Sequence, residues 1–137
     1  MPVVGEGNTE RLRKLYERWE RGDLASAEFF DLEVEYARFG ADLADLSGEW
    51  RGFEQVRAAQ AEYLRAFEDW RLKAERVIDL GDDRVLVLDR QTARGKSSGV
   101  VLEHELGSLF TLRDGKVVRW EHYWDRAEAV RAAGLEA

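Results

Sequence analysis

No cysteine occurs anywhere in the 137 residues, which excludes disulfide staples, thiolate catalysis and cysteine-ligated metals. Long apolar runs are missing too: none approaches the roughly 20 residues needed to cross a bilayer, so no membrane partner is expected. Met1 to Asn8 has no basic start followed by an apolar block. No secretory or transit signal is visible there, and a cytoplasmic location is the expectation. Dense basic runs are absent as well. Arg57, Arg65, Arg71, Lys73 and Arg76 are interleaved with acidic residues and the formal net charge is -7, whereas a polyanion needs a concentrated basic surface; no nucleic-acid partner is expected. Histidine is scarce. His104 and His122 have no clear carboxylate as third ligand, so neither a metal nor another cofactor is expected.

What is present is apolar bulk. An apolar share of 45% with five Trp and six Phe is too rich for a disordered chain, and the length suits one core in one domain. Residues 1–8 read as a flexible arm and 9–137 as the domain. Leu12, Leu15, Tyr16 and Trp19 recur at i, i+3, i+4 and i+7, which puts them on one helix face that must be buried. Asn8 or Thr9 is placed to cap that helix, Gly22 to end it, and Asp23 to start a second, shorter one carrying Leu24, Ala27 and Phe30. Val34 to Phe39 alternates as a strand. The loop after Gly40, with Leu43, Leu46 and Trp50, reads as a pocket lid or a simple cover. Phe53, Val56, Gln60, Tyr63 and Phe67 then share the face of a third helix, expected to be the longest and to lie across a sheet.

After residue 71 the period becomes two. Gly81-Asp82-Asp83, Gly95 to Gly99 and Arg113-Asp114-Gly115 punctuate four strands that form an antiparallel meander ending near Trp124. Asp125 to Glu128 has the form of a capping box for a last short helix that Gly134 can stop. The prediction is therefore an α+β fold: three N-terminal helices packed on a curved, mostly antiparallel sheet.

Period-two reading assigns three series to the concave interior because they carry the largest hydrophobic load: Leu86, Leu88, Arg90, Thr92; Leu102, His104, Leu106, Ser108, Phe110, Leu112; and Val118, Trp120, His122, Trp124. Arg90, His104, Ser108 and His122 become polar guests there, and each needs a hydrogen-bonding partner or a ligand. Tyr36, Gln60, a water or an internal ion pair could equally satisfy them. The opposite series, which includes Val85, Val87, Asp89, Val117 and Tyr123, reads as the outer face. Its apolar members point to a homodimer joined through it.

Glu20-Arg21-Gly22-Asp23-Leu24, the Asp31 to Tyr36 stretch, Phe110 to Val117 and Tyr123-Trp124-Asp125-Arg126 resemble marks of the SnoaL-like family of the NTF2-like superfamily, and the likeness spans nearly the whole chain. It implies a cone-shaped α+β domain around a small hydrophobic pocket. Activity is less constrained, because this scaffold serves isomerases, epoxide hydrolases, cyclases, dehydratases and proteins without known chemistry. Positions that carry the ketosteroid isomerase groups are matched here by Tyr36, Leu15 and Ser108, none with the required chemistry. The epoxide-hydrolase pattern retains Arg90 but has Thr92 and His122 where its two aspartates stand. What the resemblance to SnoaL-type cyclases implies is a cofactor-independent lyase, cyclase or isomerase acting on a small hydrophobic carbonyl compound. In that reading His122 transfers a proton, His104 assists and Arg90 balances developing oxygen charge. Tyr36, Trp50, Tyr63, Ser108, Phe110, Trp120 and Trp124 are the expected ligand contacts. The alternative is a noncatalytic protein of the same family that binds a small ligand or only dimerises.

Overall fold

A computed structural model of the chain describes residues 4–24, 26–40 and 47–135. Leu43 and Leu46, assigned above to a lid, lie outside the described residues. The elements are α1 (Val4–Glu20), a 3-10 turn (Ala27–Phe29), β1 (Phe30–Phe39), β2 (Gly48–Arg51), α2 (Phe53–Leu64), β3 (Phe67–Gly81), β4 (Arg84–Gly95), β5 (Val101–Arg113), β6 (Lys116–Tyr123) and α3 (Arg126–Ala132). The six strands form one sheet in the order β2-β1-β6-β5-β4-β3. Only the β1–β6 pair is parallel.

The predicted stripe of α1 is buried throughout, with Leu12, Leu15, Tyr16 and Trp19 all 9% exposed or less. The helix begins at Val4, earlier than the expected cap at Asn8 or Thr9. At its other end Gly22 adopts φ 82°. Gly22 N–H donates to Trp19 O and Asp23 N–H to Arg18 O, the paired closure for which a left-handed glycine is suited. Asp23 is thus spent on ending α1 instead of starting a second helix. Only the three-residue turn Ala27–Phe29 follows, and Phe30 already belongs to β1. Phe29 and Phe30 are successive and both buried. Phe29 lies under Arg11 and Arg18, whereas Phe30 packs on Phe53 and Trp120, an opposed pair of directions that one helix face cannot supply.

The expectation of three N-terminal helices is therefore corrected to one, followed by sheet; α2 enters after two strands and α3 closes the chain. α1, not α2, is the longest helix. α2 stops at Leu64 and Phe67 opens β3, so Phe67 leaves the helical face assigned to it. The meander and its turns lie where predicted. Positive φ at Gly81, Asp82 and Asp83, and again at Asp114 and Gly115, makes the tight reversals. Register shifts within the β3–β4 pair and between Thr111 and Leu112 mark bulges that bend the sheet. Asp125 Oδ1 accepts from Ala127 N–H at 3.0 Å and so caps α3.

Both faces of the sheet are covered. α1 and α2 pack on the inner face around Val85, Val87, Phe110 and Trp120, while α3 covers Leu86, Leu88, Leu109 and Tyr123 on the other. This arrangement reverses the assignment of β4. Residues directly opposite across an antiparallel pair share a face, and Val87 pairs with Ser108, Asp89 with Leu106 and Gln91 with His104. The inward series of β4 is thus Val85, Val87, Asp89 and Gln91, and Arg90 faces outward. The apolar residues cited for a dimer face lose that meaning: Val85, Val87 and Val117 belong to the inner core, and Tyr123 packs beneath α3 and on Phe39. Among the described residues no helix is long and apolar enough to cross a membrane.

Candidate active site

A cavity of about 420 Å³ opens between α1, α2 and the inner faces of β3 to β6. Aromatic side chains dominate its wall, among them Trp19, Phe30, Phe53, Trp70 and Trp120. Trp19 and Trp120 stack with centroids 5.4 Å apart. The polar groups in this wall are few and come from different elements: Tyr16 from α1, Ser26 just before the 3-10 turn, Gln60 and Arg57 from α2, Asp89 and Gln91 from β4, Ser108 from β5 and His122 from β6. Arg57 is exposed and held by Glu54 through two contacts of 3.1 and 3.2 Å, and Ser26 Oγ donates to Leu24 O at 3.3 Å, so the inner polar set is Tyr16, Gln60, Asp89, Gln91, Ser108 and His122.

Asp89 is 2% exposed, and its Oδ1 is a buried side-chain atom without a hydrogen-bond partner among the described residues. Burial pushes its carboxyl up to about 7, against the opposing pull of Arg126 and with a further push from Glu75. Such a group divides between acid and base near neutral pH, the condition for efficient proton transfer. Arg126 acts from the other side of the sheet, where its Nη2 donates to Asp89 O at 2.7 Å and its Nε to Leu106 O at 3.3 Å.

His122 is 5% exposed. Burial and then the Arg38 charge pull its imidazole down to about 3, so the ring is neutral over the ordinary pH range. Its Nδ1 lies 2.9 Å from Tyr36 Oη, and Arg38 Nε donates to the same oxygen at 3.0 Å. Tyr36 has a single proton, which goes to His122 Nδ1 or to Gln60 Oε1 at 3.1 Å; donation to Nδ1 leaves the hydrogen of the ring on Nε2. Burial holds the Tyr36 hydroxyl at about 12, so it stays protonated. Arg38 is buried over the rings of Tyr36, Trp50 and Tyr63, within 5.3 Å of each centroid.

The sequence-predicted residues divide into two places. His122, Ser108 and Trp120 line the cavity, with Trp120 Nε1 donating to Ser108 Oγ at 2.9 Å. Tyr36 stands behind His122, Trp50 stacks on Tyr36, Phe110 packs between Tyr16 and Trp120, and Tyr63 donates to Gln91 Oε1 at 2.8 Å. Arg90, His104 and Trp124 line a separate groove; the pairing of His104 with Gln91 keeps His104 on the inner-face register, but beyond the cavity. Arg90 is engaged by Glu75, Glu103 and Glu105 at 3.1, 2.6 and 2.8 Å. His104 stacks on Trp124 with centroids 4.1 Å apart, and its Nε2 is hydrogen-bonded to Trp124 O. The expected convergence of Arg90, His104 and His122 on one hollow is thus corrected: only His122 enters it. Among the described residues no three His, Asp or Glu side chains gather in a way that could hold a metal ion.

Asp89 and Gln91 were missed because β4 was registered on its hydrophobic load. The signal that finds them is the hairpin itself. Pairing Arg94 with Val101 across the Gly95 to Val100 turn sets odd-numbered β4 residues against even-numbered β5 residues, and so Asp89 and Gln91 beside Ser108.

Residues 12–120 match the family model of the SnoaL-like domain. No curated protein matches the sequence. Among solved structures the chain is similar to an NTF2-like protein of unknown function from Burkholderia pseudomallei, with TM-score 0.76 and 22% identity over 91% of this chain and 95% of that one. It is similar as well to a candidate SnoaL-like polyketide cyclase from a Jannaschia species, with TM-score 0.75 and 21% identity over 100% and 97% of the two chains. A third is TerC co-crystallised with polyporic acid, with TM-score 0.73 and 20% identity over 93% and 98%. At these identities the likeness establishes the fold.

Proposed function

The chain belongs to the SnoaL-like domain family, and from that premise we propose that its cavity takes a small hydrophobic carbonyl compound and catalyses proton abstraction beside the carbonyl without a cofactor, the opening step of a lyase, cyclase or isomerase reaction. One observation carries this reading: the carboxyl of Asp89, whose Oδ1 has no hydrogen-bond partner among the described residues, lies in the wall of an aromatic cavity and is raised by burial to about 7. A candidate SnoaL-like polyketide cyclase and a protein co-crystallised with polyporic acid are among the similar structures, and they support a small-molecule role.

In the proposed step the C–H bond next to the carbonyl breaks and its proton goes to an Asp89 carboxylate oxygen. The electron pair moves to the carbonyl oxygen, where His122 donates from Nε2 in the tautomer that forms when Tyr36 donates to Nδ1. A neutral imidazole suits this role, because a donor that is not already cationic gains most as negative charge develops on the oxygen. Asp89, not His122, is the proton carrier in this scheme, since an imidazole held at about 3 is too weak a base near neutrality. Arg38 and Tyr36 position the ring, and the aromatic wall excludes water.

The test is deuterium wash-in from deuterium oxide into the C–H bonds beside the carbonyl of a panel of aromatic ketones and β-diketones, followed by NMR. Wild-type protein is expected to accelerate exchange in at least one of them, with a rate that rises with pH through about 7, the value to which burial raises Asp89. Asp89→Asn is expected to abolish the acceleration. Equal exchange with wild type and Asp89→Asn would contradict the assignment, and ligand binding without any exchange would favour a noncatalytic binding protein.

A further inference from the structure

Two amides in the cavity wall are oriented by partners that can only donate. Gln91 is 7% exposed, and its Oε1 accepts from Trp70 Nε1 at 3.1 Å and from Tyr63 Oη at 2.8 Å. An indole N–H has no acceptor capacity, so the atom facing Trp70 must be the amide oxygen; the flipped rotamer would set N–H against N–H. The same logic holds on α2. Gln60 Oε1 accepts from Arg38 Nη2 at 3.0 Å, and a guanidinium is likewise a donor only, whichever way the Tyr36 proton points. With both oxygens claimed, both Nε2 groups are turned away from these networks. Among the described residues no side chain or carbonyl accepts from either of them.

The rest of the polar lining does not compensate. Ser108 is taken up with Trp120 and Tyr16, and Arg57 at the rim with Glu54. We infer that Gln60 and Gln91 are specificity-determining residues whose cavity-facing N–H groups select an aromatic ligand bearing carbonyl oxygens, of the aryl ketone or quinone class, over a hydrocarbon of the same shape. This rests on the reading of the cavity as a small-molecule site and adds the chemical class of its occupant. The physical basis is the asymmetry of buried hydrogen bonds. A hydrocarbon covering the two amides strips them of water and returns nothing, whereas a carbonyl oxygen accepts from them. A site built on donors therefore rejects the analogue without acceptors far more strongly than an apolar pocket rejects a change of shape.

Substitution by glutamate separates the inference from simple damage to the fold. Gln91→Glu keeps an oxygen for Tyr63 and Trp70, and Gln60→Glu keeps one for Arg38, so each replaces the N–H groups that face the cavity with a carboxylate oxygen. Naphthoquinone and naphthalene are matched probes of one ring system, and the absence of cysteine leaves no thiol for the quinone to alkylate. Binding of each probe is measured by calorimetry and ligand-observed NMR at mildly alkaline pH, where a glutamate is ionised. Wild type is expected to prefer naphthoquinone by about tenfold or more, and each variant to lose most of that preference. A second measurement needs no variant: the side-chain amide resonances of Gln60 and Gln91 are expected to move downfield with naphthoquinone and not with naphthalene. Equal binding of the two probes to wild type, or preference retained in both variants, overturns this inference and leaves the cavity reading standing. Exclusion of both probes from wild type overturns the two together.

Discussion

Asp89 and Arg90 are neighbours on β4 that face opposite sides of the sheet, and they handle charge in opposite ways. Arg90 has its side chain about one third exposed among three carboxylates, an arrangement that water and ion pairing make inexpensive. Asp89 is buried and its Oδ1 has no partner among the described residues, so its charged form is costly and its carboxyl holds a proton to about 7. The teaching is in the contrast. A charge in a satisfied network explains itself structurally, while a buried acid beside an aromatic cavity lowers stability when charged, and it is this cost that the proposed proton transfer would account for.

The largest effect expected from breaking this contrast is on Asp89. Asp89→Asn should lower any catalysed exchange by about 100-fold or more, the usual contribution of a general base, measured as the rate of deuterium wash-in. The fold should survive, because an amide in that position avoids the buried charge.

Stability against pH sharpens the comparison next. The Asp89 carboxyl rises from 3.8 to about 7, so its contribution to stability is complete below 3.8 and is lost as pH rises towards 7. The His122 imidazole falls from 6.5 to about 3, so its contribution is complete above 6.5 and is lost as pH falls towards 3. Each effect is at most on the order of 4 kcal/mol, and across their shared window they have opposite slopes. Wild type is expected to show a flat profile there from these two groups. Asp89→Asn should gain stability with rising pH, and His122→Asn should lose it. Urea midpoints across the pH range check this, and parallel profiles for all three proteins would contradict it.

Smaller effects lie on the far side of the sheet. Arg126→Gln removes the cation that opposes the burial of Asp89, and should move the midpoint of the exchange profile upward by less than about one pH unit. Arg90→Gln should leave exchange unchanged and lower the melting temperature only slightly. A loss of exchange as large as that of Asp89→Asn would return Arg90 to the site.

Legibility in the sequence followed the same division between one-sided and two-sided burial. The α1 stripe, the meander and the Asp125 cap each came from a local signal that tertiary packing reinforced. β5 and β6 were also registered correctly around Ser108, Trp120 and His122, because polar outward residues such as Glu103, Glu105, Arg119 and Glu121 alternate with them. On β4 the contrast vanishes: Val85, Leu86, Val87 and Leu88 are all 7% exposed or less, since α1 and α2 cover one face and α3 the other. Alternation in hydrophobicity cannot tell two buried faces apart, and Arg90 was drawn inward in place of Asp89. The short second helix failed for another reason, as Asp23 serves equally to start a helix or to follow the glycine that ends one, and only the hydrogen bonds of Gly22 and Asp23 decide between them.

The most direct measurement is the titration of the Asp89 carboxyl carbon by NMR, assigned by comparison with Asp89→Asn. A midpoint near 7 that falls to the ordinary range on unfolding is the predicted result. A folded-state midpoint near 3.8 would mean that water or a cation already serves Asp89, and that the cavity holds no tuned proton carrier.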